Sequence, residues 1–361
     1  MLPDSASWVT ELEQTHGEKI HFLANSIELL QSLFSGYEAY QRLDSSPIHD
    51  FIESSKALID AKSKSYPQNH SPVLTKEWYK AYLFSQGEPV RLLKAYAGIR
   101  ILSVGILTEE FLRSLISGNL LIPLICCRTS LEHIASFNAI ISELESLPTN
   151  NDITGVQHDL AQKADLLKKR LFARRVDWME LLSDPDKASQ RKNIRYSAEE
   201  HHVDLTAEQI LKDIDALDKI IKGTRSWYEV LCEFAHPNVG VVLAFTQSTN
   251  QYADTNGLSW TEHRFSRSPF ASLQELRQIL DRVLEIYSRC MSHFLLLLQE
   301  SLPTMLTLTN SQAKATSREL LSVPLKTSEG MIKLKEHVDI YSVCPCGSEL
   351  KMKFCCASIK A

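Results

Sequence analysis

The sequence predicts a mainly α-helical protein: a multi-helix body, a small inserted β-hairpin and a C-terminal knuckle built on four cysteines. Three observations predict it. Only 12 glycines and 13 prolines punctuate 361 residues, and long stretches repeat apolar side chains at i, i+3 and i+4, the spacing of one helix face. A single stretch, 239–265, departs from that pattern with β-branched runs around an Asn-Gly pair, which is a hairpin signal. Four of the eight cysteines, Cys344, Cys346, Cys355 and Cys356, crowd the C-terminal tail.

Taken in order, the apolar period predicts helices over 7–35, 48–62, 75–84, 89–117, 120–145, 156–182, 206–222, 225–235 and 272–300. Ser117-Gly118-Asn119 separates two of them. A turn cluster runs from Leu147 through Pro148 to Asp152, and Asp184-Pro185-Asp186 closes another helix. The hairpin is expected to pair 239–246 with 258–265 across Thr255-Asn256-Gly257. After Leu302, threonine, serine and lysine dominate, with Pro303 and Pro324 among them. That stretch reads as a connector carrying one short helix near 317–321. The expected organisation is a helical body at 1–302, a connector at 303–340 and the knuckle at 341–361.

With 44% apolar and 23% charged residues the chain can bury one large or two medium cores. A net charge of −5 and a pI near 6.2 argue against a surface that coats nucleic acid. The basic run Lys168-Lys169-Arg170 with Arg174-Arg175 reads as a solvated helix face. No positively charged, then apolar, leader opens the sequence, and the most apolar windows, 120–127 and 294–298, are too short to span a bilayer. A cytoplasmic protein with no membrane partner is therefore expected. Walker loops, dinucleotide glycine fingerprints, Gly-x-Ser-x-Gly elbows and His-Glu-x-x-His motifs are all missing from the sequence. Cys126, Cys127, Cys232 and Cys290 sit in apolar helical patterns and read as buried hydrophobes.

The tail carries the strongest chemistry. Cys-x-Cys, eight residues, then Cys-Cys brings two thiol pairs together across one short turn. A closed structural zinc site needs four such ligands in a tetrahedron. So short a segment cannot fold on its own apolar surface, so metal binding would supply its folding free energy. Pro345 stiffens the first ligand pair and Gly347 permits a sharp turn, while Lys351, Lys353 and Lys360 stand ready to offset the net charge of a four-thiolate site. Two disulfides compete less well, because adjacent Cys355 and Cys356 bridge each other only with strain. An iron–sulfur cluster would normally show a Cys-x-x-Cys run.

Residues 344–356, Cys-Pro-Cys-Gly-Ser-Glu-Leu-Lys-Met-Lys-Phe-Cys-Cys, closely resemble the SEC-C motif, the zinc-binding tail of the bacterial translocase motor. Cys344, Cys346, Gly347, Ser348, Lys351, Lys353, Cys355 and Cys356 fall on its pattern. Glu349 replaces a second glycine, and Cys356 stands where the motor has histidine. The resemblance implies zinc held by Cys344, Cys346, Cys355 and Cys356, and a docking module for a protein or nucleic-acid partner.

In the body, Arg128 and Glu132 lie four apart and share a helix face, so they can pair. Glu229, Glu233 and His236 project from one face at i, i+4 and i+7. A di-iron bundle would need a second helical Glu-x-x-His, and the other instance, Glu199 to His202, lies in a polar stretch. Pro237 ends the helix at His236, so His236 and Asn238 read as hydrogen-bonding groups at a helix end.

These two segments are similar to those of a helical family of uncharacterised bacterial proteins near the HEPN superfamily, which includes metal-independent ribonucleases with an Arg-x4-6-His motif. Arg128 to His133 fits that motif. The resemblance implies catalysis by Arg128 and His133 with His236 contributing, and a homodimer that pairs two copies of the motif. Such chemistry needs a histidine that exchanges protons and an arginine that stabilises the phosphorane-like charge. Two functions therefore follow from the sequence. The first is a binding or scaffold protein whose zinc knuckle docks a partner in bacterial stress or phage defence. The second is the HEPN-like ribonuclease.

Overall fold

Helix formation follows the apolar period closely. The computed structural model describes residues 5–35, 86–147, 153–173, 210–236, 246–265, 274–322, 324–327, 330–333, 341, 344, 346, 348 and 350–358. In chain order its helices are α1 (Ser5–Ser35), α2 (Glu88–Ile116), α3 (Leu121–Ser146), α4 (Ile153–Phe172), α5 (Ile210–Ile220), α6 (Thr224–Ala235), α7 (Gln274–Leu296) and α8 (Leu302–Ser322). A π-helical turn, Leu297–Ser301, lies between α7 and α8. Two antiparallel hairpins complete the set, β1 (Thr246–Ala253) with β2 (Ser259–Phe265), and β3 (Pro324–Thr327) with β4 (Gly330–Lys333). The helices expected at 48–62 and 75–84 lie outside the described residues. Among the described residues, no helix is long and apolar enough to cross a membrane.

The chain divides into two compact units, each gathered from three separate segments. The first takes α1, α2 from Ala97 on, α3 to Ser142, α5, α6, the β1–β2 hairpin and α7. Its core is aromatic at the points where helices cross. The rings of Phe111 and Tyr287 lie 5.2 Å apart, and Phe137 meets Phe294 edge-on at 5.3 Å. A buried hydroxyl chain joins three helices, Thr108 and Tyr287 at 2.6 Å and the Tyr287 hydroxyl donating to Ser130 at 3.0 Å. Each of these groups is buried, so the chain removes a desolvation cost that any one of them would carry alone.

Gly118 shows how the sequence ends α2. It has a φ of 88°, and its N–H donates to the Leu115 carbonyl while that of Asn119 reaches the Ser114 carbonyl. That pair of bonds is a Schellman closure, which calls for glycine at the left-handed position.

The inserted hairpin is present, with its first strand shifted. Turn chemistry is as expected: the Asp254 carboxylate accepts from the N–H groups of Asn256 and Leu258, and Gly257 takes a φ of 81°. However, β2 pairs with the polar run Thr246–Ala253 and not with 239–246, whose residues 239–245 lie outside the described set. Register is set outward from the turn, so the partner of 259–265 must be the residues just before it, whatever their polarity. Tyr252 stacks on Trp260 across the pair at 5.7 Å.

The second unit takes the start of α2, the end of α3, α4, α8, the β3–β4 hairpin and the cysteine tail. Here the expected connector at 303–340 is corrected, because 302–322 form one helix. Between the buried Met305 and Leu321, its inward face is built from small and polar side chains, Thr309, Gln312, Ala313, Thr316 and Ser317, all buried. Composition therefore concealed the helix period. The Gln312 side chain accepts from Lys163 Nζ at 2.8 Å, which satisfies both buried groups. Of the basic run, Arg174 and Arg175 lie outside the described residues, while Lys168 and Arg170 on α4 do not form a solvated face. Lys168 is buried against Glu88 at 3.0 Å, and Arg170 pairs with Glu143 at 2.6 Å.

Candidate metal centre

The tail folds around its sulfurs. The Cys344 N–H donates to the Leu350 carbonyl at 2.7 Å, which ties the first cysteine to the start of the segment carrying the second pair. A single 3-10 turn, Met352–Phe354, then carries Cys355 and Cys356 back to the first pair. That turn is held by N–H groups of Cys355 and Ala357 donating to the Met352 carbonyl, both at 3.0 Å.

All four sulfurs lie within 4.8 Å of one another, and all four cysteines are buried. Cys346 and Cys355 sulfurs are 3.4 Å apart, and those of Cys355 and Cys356 are 3.9 Å apart. With metal–sulfur bonds of about 2.3 Å, a tetrahedron has edges of about 3.8 Å. The separations therefore suit one ion among four thiolates, and the site could hold a metal. Ser348 adds its hydroxyl at 2.9 Å from the Cys355 sulfur, where a thiolate would accept a hydrogen bond from it.

Electrostatics inside the cluster point the same way. Hydrogen bonds from the Cys346 and Cys356 thiols hold Cys344 down at about 3. Those same contacts, with Cys344 and Cys346, push Cys356 far above the ordinary thiol range. The first thiolate is thus easy to form and the last is opposed, until a cation compensates the charge. Arg91 lies within the field of both Glu88 and Cys346, although burial lowers its basicity.

Beneath the sulfurs, Met352 is buried with Val90, Leu160, Ala313 and Leu321. These come from α2, α4 and α8, so the knuckle shares a core with the helices of its unit. Its outer face is different: Tyr341 is 58% exposed and Phe354 64%, with Leu350 open beside them. Lys353 spans both rings, 5.1 Å from Tyr341 and 5.6 Å from Phe354. Pro345, Gly347, Glu349 and Lys360 lie outside the described residues.

The residues singled out in the helical body are placed as follows. Arg128 pairs with Glu132 at 3.0 Å, as their spacing predicts. It also reaches the Tyr228 hydroxyl and the Cys232 sulfur, each at 3.3 Å. Tyr228 completes the network by donating to Glu132 at 2.7 Å. His133, on the same helix, turns instead to Arg100, which donates to its Nδ1. Burial, reinforced by the Arg100 charge, holds His133 down at about 4, so the ring is neutral.

The structure therefore does not join Arg128 to His133; the guanidinium beside the histidine belongs to Arg100. His236 is exposed at the end of α6, its N–H donating to the Cys232 carbonyl at 3.2 Å. Neither Arg100 nor Tyr228 was singled out from sequence. Each is distant in the chain from its partner, and only helix packing brings it there. Cys232 is half-buried beside Arg128, whereas Cys126, Cys127 and Cys290 are buried as expected.

No protein-family model, no curated protein and no solved structure matches this chain. The fold and the site define a mainly α-helical protein with a small hairpin and a C-terminal cysteine cluster able to hold a metal ion.

Proposed function

We propose that this is a binding or scaffold protein whose C-terminal knuckle holds zinc and docks a protein or nucleic-acid partner. The observation that carries this is the convergence of four buried sulfurs within 4.8 Å, in a tail that also exposes Tyr341, Leu350 and Phe354. Zinc is the ion of choice because four thiolates in a closed tetrahedron suit a borderline-soft divalent cation with no redox demand. Exposed aromatic side chains beside Lys351 and Lys353 supply the anchors that interfaces favour. The resemblance of the tail to SEC-C adds the docking role, and the setting we propose is the bacterial cytoplasm, in stress or phage defence.

Metal analysis of the purified chain comes first, with about one zinc per chain expected. Substantially less than one, with thiols free or bridged, would remove the zinc assignment. Partner capture with the native knuckle, beside Tyr341→Ala and Phe354→Ala variants that keep the metal, tests docking. Capture that both variants retain would place recognition elsewhere.

A ribonuclease reading keeps one supporting observation: a guanidinium, that of Arg100, does lie on the neutral imidazole of His133. Cleavage of total RNA or tRNA by the wild type, lost in His133→Ala and Arg100→Ala, would favour it. Loss in Arg128→Ala as well would extend the site to the Tyr228 network.

A further inference from the structure

α2 turns a second apolar row toward solvent. From Ala97 on it belongs to the first unit, and its inward residues Ile101, Val104, Thr108, Phe111 and Leu115 are buried. Ile99, Leu102, Ile106 and Ile116 are nevertheless between 42% and 56% exposed. Glu109 and Arg113, exposed as well, complete the row. Successive members of the row are 3, 4, 3, 4 and 3 residues apart, the a and d positions of a heptad seam. A lone exposed aliphatic side chain is ordinary, but four in one heptad row have the pattern by which helices pair.

The polar members of the row select the partner. Arg113 donates to Glu109 at 2.6 Å and stands 3.3 Å from Glu110. Two carboxylates against one guanidinium disfavour a phosphate backbone or an anionic lipid surface. They suit a surface that carries the same groups in reverse order, which a second copy of α2 supplies. In an antiparallel pair centred on position 111, Ile106 lies opposite Ile116 of the second copy, and Glu109 opposite its Arg113. Both matches join an a position to a d position, and the two-fold axis makes each of them twice. A parallel pair would set Glu109 on Glu109 and Arg113 on Arg113. Sliding the antiparallel pair one heptad toward the N-terminus would set Glu109 against Ile106. Charge therefore singles out one register.

We propose that this exposed row of α2 is the interface of an antiparallel homodimer, with Ile106 packed on Ile116 and Glu109 paired with Arg113 of the second copy. Leu102 then reaches the second copy's turn at Ser117–Asn119, extending the apolar contact beyond the paired layers. The pairing differs from the one that joins two copies of Arg128 and His133. At about 100° per residue, Arg100 falls on the far side of α2 from the row, where it is engaged with His133 and Ser136. The interface shares no residue with the knuckle, so it stands or falls independently of the function proposed above.

Sedimentation equilibrium of the full chain at high micromolar concentration tests the proposal, with the mass of two chains expected. Ile106→Glu should weaken the dimer by roughly tenfold or more. Glu109→Arg and Arg113→Glu each set like charge on like charge across the axis, so each alone should be monomeric. An equimolar mixture of those two variants should recover a dimer, because every cross-pair is again of opposite sign. A folding defect cannot imitate that recovery, and both side chains are exposed, so helical circular dichroism should not change. Ile106→Cys mixed with Ile116→Cys should be joined by a short thiol cross-linker above the wild-type background, and neither variant should cross-link alone. A monomeric wild type would give the row to another partner and overturn the proposal. So would a dimer that survives Ile106→Glu, a charge-reversed mixture that stays monomeric, or cross-linking within either cysteine variant alone.

Discussion

Cysteines of this chain fall into two sets that burial alone does not tell apart. Cys126, Cys127 and Cys290 are as deeply buried as Cys344, Cys346, Cys355 and Cys356. In the helical set, desolvation pushes Cys126 to about 11 and Cys290 to about 12, so these thiols stay protonated and act as small apolar groups. In the tail, four sulfurs share one point, and hydrogen bonding between them draws Cys344 down to about 3. What separates ligand from filler is convergence. A thiol surrounded by methyl groups has nothing to gain from ionising, whereas four around one cavity gain a shared cation.

The largest effect that tests this contrast is metal removal. Structural zinc contributes on the order of 10 kcal/mol of binding free energy at neutral pH. Chelation or Cys346→Ser should therefore release the ion and lower the melting temperature, because Val90, Leu160, Ala313 and Leu321 lose the knuckle that covers them. Cys127→Ala should keep the metal and cost only about 1–2 kcal/mol for a small cavity. Urea titration with metal quantification distinguishes the two, and metal loss in Cys127→Ala would break the comparison.

Acid gives a smaller effect with a defined window. His133 titrates at about 4 in the folded chain against 6.5 in the unfolded one, and burial lowers His16 and His293 as well. Between these values the unfolded chain binds more protons, so stability is full above about 6.5 and is lost as the pH falls toward about 4. His133 alone should account for about 3 kcal/mol of that loss. A pH series of urea midpoints should show a shallower decline in His133→Gln, and an identical slope would refute the assignment.

Removing one hydroxyl tests the polar chain in the first unit. Tyr287→Phe leaves Thr108 and Ser130 without their shared partner and should destabilise by about 1–2 kcal/mol. Smallest is Arg128→Met, expected near 1 kcal/mol, since Arg128 and Glu132 side chains keep 22% and 25% exposure and water screens the pair. A thiol reagent offers a kinetic version of the opening contrast. Half-buried Cys232 should react ahead of Cys126, Cys127 and Cys290, and the tail cysteines only after chelation.

Legibility of the fold tracked the strength of each local signal. α2 and α3 fell within a residue or two of their expected ends, because Ser117-Gly118-Asn119 writes a helix closure in three letters. α8 was hidden, since between Met305 and Leu321 its buried face is mostly Thr309, Gln312, Thr316 and Ser317, which a hydropathy pattern counts as polar. The first hairpin strand was misplaced for the converse reason, as register obeys the turn and not the most apolar run nearby. In the body, the Arg128–Glu132 pair was legible from its spacing, while Arg100 on His133 and Tyr228 on Arg128 were not, being 33 and 100 residues apart in sequence.

By itself the sequence determined the helical character of the chain, the place of the hairpin turn and the identity of the four sulfur donors. All three are local: a period, a dipeptide and a spacing within one short tail, each acting through backbone geometry a few residues long. Tertiary structure alone decided which arginine meets the histidine, which polar faces are buried and paired, and which row of α2 stays open to solvent. Those outcomes depend on helices distant in sequence settling against one another, and packing sums many weak contacts that no single segment contains.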